Sequence, residues 1–569
     1  MTKQSDTGQP QEGRTPDQDQ GHAAKELTKA TFGAMAGVVL SRLSGLFRQQ
    51  ILSVVFGAGV ATDAFYVAFR YPNALRDLLA DGALSSAFTK SLVEAKARGV
   101  EEERRLISTT VAFFGLVTLA LAAVGLYFSH PFMSATTSTA FQERGGVALA
   151  SPLFKILAFY LPLTMLSACA MAALGTHRKT FRATFASVFF NAGTILGALA
   201  VAPILPWIGV EPIFGLAIGA MMGATLQVAF LNAPLRALGL LTWPRLRLSD
   251  FRAGSPLREI LAMMTPRALS QGSNTIALFI NTLLASAGAG TITYISNASI
   301  IILVPVGLFG VASGFSSLPV LTEAIGNKNG TKFSLLLGQS LYSALWFALF
   351  SVLGFALLAL PFCGVLFQHG NFSRPDATAT AMAVCAYGIG VFFNTGSKVL
   401  QQGFFALGQT RQVVINSLVY LVVNATCSWY FSRHNSGPVP FGLSNSLAAS
   451  CDFALNLFFL QRLSKRSGFN FFEAVKPLGL RAGTTVLMAF LTVGIGVGGI
   501  VLASRTDGLL TRFGLTPGFF TDLALLLIVG SALATLFFAL TRLVGPTNLR
   551  ELVRRIESKL LTQIRRHVR

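Results

Sequence analysis

Charge is what this sequence has least of. Asp, Glu, Lys and Arg make up 12% of its 569 residues, where a soluble domain averages about 25%. That excludes an ordinary soluble surface. Acids are the scarcer half: 24 Asp and Glu stand against 45 Lys and Arg, for a net charge of +21. Cysteine is sparse as well. Cys169, Cys363, Cys385, Cys427 and Cys451 lie in or beside apolar runs without a CxxC pair, which predicts neither a structural disulfide nor a metal site. The first 26 residues are polar, rich in Gln, Asp, Gly and Thr, and lack an apolar h-region. They read as a disordered cytoplasmic tail and not as a signal peptide. Catalytic signatures are missing too. There is no P-loop, HExxH or GxSxG, and there are no paired carboxylates in a long outer loop, so no enzyme activity and no cofactor are predicted.

What is abundant is apolar. The chain is 52% hydrophobic with 54 Gly and 48 Phe, and its mean hydropathy is +0.60. Fourteen spans of about twenty residues or more are read at 30–57, 62–92, 106–129, 150–174, 181–206, 211–235, 257–286, 290–320, 333–361, 378–407, 411–431, 442–462, 478–503 and 520–544. This predicts an all-α polytopic membrane protein with fourteen transmembrane helices. The tails and even-numbered loops carry 33 of the basic residues, and the spans seven. The odd-numbered loops carry five: Arg144, Arg374, Arg433, Arg505 and Arg512. Basic residues concentrate on the cytoplasmic side of membrane proteins, so both termini are predicted to be cytoplasmic. The net positive charge is thereby assigned to that bias and to anionic lipid heads, not to nucleic acid.

A faint internal repeat divides the chain. Gly57 to Ala95 aligns without gaps with Ser286 to Ala324; GAG recurs near both starts, and SLVEA stands opposite VLTEA. The repeat predicts two six-helix lobes, an N-lobe at 27–236 and a C-lobe at 257–463 joined by a cytoplasmic linker at 237–256. Spans 13 and 14 (478–545) are then two extra C-terminal helices. Residues 546–569 set Leu, Ile and Val at helical spacing between Arg and Lys. This basic amphipathic helix lies either on the inner leaflet or on the protein's own cytoplasmic face.

The stretch from Ser41 to Phe88 is apolar, yet it carries Arg42, Arg48, Asp63, Arg70, Arg76, Asp77 and Asp81. A charge at the bilayer centre costs from about 3 to more than 10 kcal/mol, so such residues face a cavity or a partner. Four are arginines, whose forked donors suit phosphate or carboxylate. The prediction is a water-filled cavity that binds an anion. Asp63, Arg70, Asp77 and Asp81 are spaced 7, 7 and 4, on one face of a straight helix. Pro72 is predicted to interrupt that helix at Pro72–Asn73 and turn Arg76 toward the cavity. The alternative for this row is an ion-pair ladder without a ligand. For Arg42 and Arg48, which have no acid in their own span, it is snorkelling to the interface. Arg267 and Lys398, lone cations in spans 7 and 10, either complete the cavity or anchor helix ends. Asp452 in span 12 is either a coupling site for a cation or proton, or a paired structural acid. With no nucleotide site, uphill transport through such a cavity must draw on the membrane potential or on a Na+ or H+ gradient.

From Ser41 to Phe88 the motifs SR, G..R, FGAG, TDAF, PN.LR and GA..SAF occur in order. In this the chain resembles the lipid II flippases, the MurJ (MviN) family of the multidrug/oligosaccharidyl-lipid/polysaccharide exporter superfamily. VPVGLFGVASGFSSLPVL in span 8 and KVLQQGFFALGQTR, from Lys398 to Arg411, resemble further family segments. The resemblance implies a flippase of the bacterial inner membrane that moves undecaprenyl-pyrophosphate-linked peptidoglycan precursor, lipid II, between leaflets by alternating access. It implies that Arg42, Arg48 and Arg76 hold the pyrophosphate, that Asp63 and Asp81 are family acidic positions, and that spans 13 and 14 form a groove for the lipid tail. A monomer is expected. One departure stands out. The family usually has an Arg in span 8 before its P.G.FG pattern, whereas Thr291 to Gly310 holds no charge, and Gln409 stands at a family Asp. The alternatives left open are a paralogous exporter of another polyprenyl-linked glycan, a multidrug or solute antiporter of the same superfamily, a membrane enzyme acting on polyprenyl phosphates, and a scaffold.

Overall fold

Long apolar runs leave the backbone one way to satisfy itself in lipid, and the chain takes it: it is helical, with no strand among the described residues. The computed structural model describes residues 16–78, 84–252, 254–307, 312–466, 470–512, 514–543, 545–546, 549–551 and 554; at 16–35, 85–86, 265–271, 274, 312–317, 319 and 482 it describes the backbone alone. Asp81 and most of the predicted C-terminal amphipathic helix lie outside the described residues.

The first half runs α1 (Pro16–Phe56), α2a (Val60–Arg76), α2b (Ser85–Arg98) and α3 (Val100–Tyr127). It continues with α4 (Gly146–Thr176), α5 (Thr180–Val201) and α6 (Phe214–Ala237). The second half holds α7 (Pro256–Ala285), α8a (Thr291–Pro305), α8b (Ala312–Gly326), α9 (Gly330–Phe367), α10 (Arg374–Ala406), α11 (Thr410–His434) and α12 (Val439–Arg466). Then come α13 (Ala482–Arg512) and α14 (Phe519–Leu543). Ten of these, α3 to α6 and α9 to α14, are long and apolar enough to cross a membrane, and each coincides with a predicted span. The other four predicted spans are 1, 2, 7 and 8. Two of them supply shorter apolar stretches at Thr275–Ala285 and Thr291–Pro305.

Two boundaries differ from expectation. Helix α1 begins at Pro16, inside the tail predicted to be disordered to residue 26. The run His22-Ala-Ala-Lys-Glu-Leu is made largely of good helix formers, and a long helix already nucleated downstream extends into them at little cost. Pro72 does not end α2a, which continues to Arg76. A proline ring crowds the turn before it, not the turn after. The regular α-helical pattern breaks at Arg76–Asp77, where α2 passes into a π-type turn and the two side chains pair at 2.6 Å.

That break has a counterpart. In the register that sets Gly57 opposite Ser286, Arg76 falls opposite Pro305, and α8a ends there. Both helices pass directly into a π-type turn, at Asp77–Leu78 and Val306–Gly307.

Packing is mostly within each half. Helix α1 lies on α5, α2a and α3 on α4, and α5 on α6; in the second half α10 packs on α9 and α12, and α11 on α7 and α12. The α5–α6 contact is made by backbone: a Cβ on Gly219 would sit 2.7 Å from the Gly197 Cα. Gly193, Gly197, Gly215, Gly219 and Gly223 thus form a small-xxx-small seam. Helices α13 and α14 are tied to α10 by Arg374, whose guanidinium donates to Asp507 at 2.7 Å and to the fully buried Asp522. The Trp346 Nε1 of α9 donates to Thr541 of α14 at 2.9 Å. Across the halves, α1 and α2a meet α8a, and α2b meets α7.

Candidate functional site

Helix α1 places its two arginines six residues apart, fewer than two full turns. With a rise of about 1.5 Å per residue, Arg48 lies about 12 Å and Arg42 about 21 Å from the Phe56 end. Arg42 is directed across the halves: its Nη2 is 3.7 Å from where a Cβ on Gly307 would be, at the break after α8a. Its guanidinium therefore faces α8 rather than lipid. Arg48 stacks on Phe190, 5.6 Å from the ring centroid. Its Nε is buried and makes no hydrogen bond, an orphan donor of the kind a ligand satisfies. Arg76, at the break of α2, donates from Nη1 to the Tyr160 hydroxyl at 3.1 Å and from Nη2 to Asp77. It lies within electrostatic reach of Arg48. Phe69, Tyr160 and Phe190 pack ring on ring beneath them at 5.1–5.7 Å. Arg48 and Arg76 thus meet one aromatic wall from α2a, α4 and α5, while Arg42 faces the end of α8a.

The remaining predicted positions are placed differently. Arg70 is half-buried and bridges the halves, donating to Thr282 of α7 at 2.9 Å and Ser296 of α8a at 3.3 Å. Asp77 is engaged by Arg76 and by the Asn73 amide at 3.4 Å. Asp63 does not line an aqueous cavity. It is 1% exposed, and its carboxylate accepts from the amides of Gly290 (2.7 Å) and Thr293 (2.9 Å) and from the Thr293 hydroxyl (2.7 Å). Helix α8a opens on a glycine with no capping side chain of its own, so a carboxylate from the other half supplies the cap. Lys398 and Asp452 attract each other from α10 and α12, inside the second half. Among the described residues no contact joins them to the arginines of α1 and α2a. Arg267 belongs to α7 with only its backbone described. The uncharged span 8 turns Ile300 toward α1, with its Cδ1 3.8 Å from a Cβ position on Gly45.

Sequence reasoning passed over the groups that close the Phe56 end of the molecule. Gln49 and Ser53 of α1, Tyr66 of α2a and Asn297 of α8a form a buried hydrogen-bonded cluster. The Asn371 amide donates to the Val54 carbonyl at 2.9 Å and its side chain to the Val55 carbonyl at 2.6 Å. Arg144 donates to the carbonyls of Ser286 (2.7 Å) and Ala287 (3.0 Å). The contacts of Asn297, Asn371 and Arg144 cross the halves on the Phe56 side of the arginines. The one local signal was the helix start at Gly290, which lacks a Ser, Thr, Asp or Asn cap and so needs a partner from elsewhere.

The sequence matches the family described as "Lipid II flippase MurJ" over residues 52–505. It is 30% identical over 409 residues to a protein of Burkholderia cenocepacia named lipid II flippase MurJ, covering 71% of this chain and 78% of that one. It is 28% identical over 445 residues to the probable lipid II flippase MurJ of Vibrio cholerae, covering 76% of this chain and 82% of that one. The fold resembles a solved structure of lipid II flippase MurJ in an inward closed conformation, with a TM-score of 0.66 and 20% identity over 90% of this chain and 98% of that one. It also resembles an inward-facing MATE family multidrug transporter, with a TM-score of 0.61 and 17% identity over 75% and 96% of the two chains. This multi-pass, all-α membrane protein belongs to the lipid II flippase MurJ family.

Proposed function

We propose that the protein moves lipid II from the inner to the outer leaflet of the bacterial inner membrane, with Arg42, Arg48 and Arg76 holding the pyrophosphate. The observation that carries this is that Arg48 and Arg76 meet one aromatic wall at the end of α2a with the Arg48 Nε buried and without a hydrogen bond, while Arg42 faces the end of α8a. A charge-assisted hydrogen bond contributes about 1.5–3 kcal/mol, and the bidentate fork suits a diphosphate better than an ammonium does. Binding and relocation require no bond to be made or broken, so the protein acts as a transporter and not as an enzyme.

The charge bias of the loops supports an orientation with the Phe56 end outside and both termini in the cytoplasm. In that orientation the contacts of Asp63, Asn371 and Arg144 close the outer side, and the arginines lie below the seal. Alternating access then requires these contacts to part while the cytoplasmic side closes, with the halves acting as two lobes. Coupling is assigned to the membrane potential or to a Na+ or H+ gradient, and the Lys398–Asp452 pair of the C-lobe is a position for it. Helices α13 and α14, held to α10 by Arg374, form the surface for the lipid tail, and the protein acts as a monomer. The deciding experiment is complementation of a bacterium depleted of its own lipid II flippase. The wild-type chain is expected to restore growth, and Arg48→Ala or Arg76→Ala is expected to abolish it at equal membrane abundance. Growth with both variants would overturn the reading.

A further inference from the structure

A second cluster of cations lies apart from the arginines of α1 and α2a, where α3 enters the membrane. The loop between α6 and α7 folds back on the first turns of α3 and encloses a pocket of about 500 Å³. Arg104 and Arg105 come from the helix, and Arg245 and Arg247 from the loop. The loop is held in place. Ser108 donates to the Trp243 carbonyl at 2.7 Å and accepts from the Arg245 amide at 3.0 Å, and the Arg104 Nε donates to the Gly239 carbonyl at 2.7 Å.

The charges in this pocket are unevenly matched. Glu101 is taken by Arg104 at 2.9 Å. Asp250 accepts from the Arg247 backbone amide at 2.8 Å and lies 3.7 Å from Arg105. The third acid, Glu102, is exposed. The guanidinium groups of Arg245 and Arg247 are exposed and have no acidic partner among the described residues. The Thr242 hydroxyl is buried without a hydrogen bond.

The rim is apolar. Trp243 is 84% and Leu248 91% exposed, a presentation that fits the headgroup boundary of a bilayer and not open water. The loop also touches the part of α3 that runs through lipid. Phe251 packs edge-on against Phe113, centroids 5.8 Å apart, and beyond Phe113 the exposed face of α3 carries Leu116, Leu119 and Val124. From Arg105 to Phe113 is about 12 Å along the helix, enough to run from the headgroups into the hydrocarbon core.

We propose that this pocket binds the phosphodiester headgroup of an anionic phospholipid, with Arg245 and Arg247 on the phosphate, Trp243 and Leu248 at the acyl boundary, and the chains along α3. The orientation proposed above names the leaflet as the inner one; the site itself does not depend on it.

The test uses the full-length protein in nanodiscs and the fluorescence of Trp243, isolated from the other three tryptophans by difference from Trp243→Phe. Brominated phosphatidylglycerol, diluted into phosphatidylcholine, is expected to quench this signal about tenfold more effectively per mole than brominated phosphatidylcholine, in line with two cations at an anionic surface. The preference is expected to disappear in Arg245→Ala/Arg247→Ala and to persist in Arg245→Lys/Arg247→Lys. Millimolar inorganic phosphate is expected to leave it unchanged. Equal quenching by both lipids, or a preference that survives the double Ala variant, would overturn the site. Competition by inorganic phosphate would make it a soluble-anion site and overturn the lipid.

Discussion

The carboxylate of Asp63 in α2a accepts a hydrogen bond from the amide of Gly290 at the head of α8a, 2.7 Å away, and so joins elements 227 residues apart. Losing a helix cap costs about 0.5–2 kcal/mol. If this cap helps hold the outer side shut, Asp63→Ala shifts the equilibrium toward opening there by about tenfold. A cysteine at the buried Ser53 is expected to react correspondingly faster with a membrane-impermeant maleimide added from outside, compared with the same cysteine beside Asp63. Asp63→Asn keeps an acceptor and is expected to fall between the two.

Tyr160 presents its hydroxyl to Arg76 at 3.1 Å. Tyr160→Phe removes one hydrogen bond, about 0.5–1.5 kcal/mol, and keeps the aromatic wall. Flipping in a reconstituted assay is expected to fall about threefold to tenfold. Arg76→Lys retains charge without the fork and is expected to lose more than Tyr160→Phe and less than Arg76→Ala.

The side chain of Asp522 is fully buried and paired with Arg374. Arg374→Ala leaves that carboxylate without its cation, at a cost of about 3–5 kcal/mol. Thermal unfolding in detergent is expected at a clearly lower temperature. Asp522→Asn in the Arg374→Ala background is expected to recover part of the loss, since the buried charge is gone. Asp507, which is 36% exposed, is expected to matter less.

At the α5–α6 seam, Gly219→Leu places side-chain atoms where the backbone of α5 already is. Overpacking a tight contact costs about 1–3 kcal/mol and more where nothing can move aside. The variant is expected to reach the membrane and then elute as aggregate on size exclusion. Gly→Leu at the open position Gly175 is the control.

The helices were legible in the sequence because lipid enforces one solution for apolar runs, and the stretch from Ser41 to Phe88 stood out because charge in lipid demands a reason. Arg42, Arg48 and Arg76 stood out as candidates on that ground. The role of Asp63 could not, because its partners are backbone amides in the other half, and an amide leaves no signature in sequence spacing. The change of pitch in α2 falls four residues past Pro72, the conspicuous residue, because a proline ring crowds only the turn before it. Arg374 was counted only as an outer-loop cation. Asp522, a lone acid at the head of an apolar run, was the sign that a cation had to reach it.

The glycine seam between α5 and α6 bears on how this molecule moves. Two backbones in direct contact cannot slide or tilt against each other without collision, so that pair turns as one stiff lever. Strain from any rocking is then passed to the elements that can yield. The π-type turns after Arg76 and Pro305 fall opposite each other in the register that sets Gly57 against Ser286, and π-type turns are places where a helix bends.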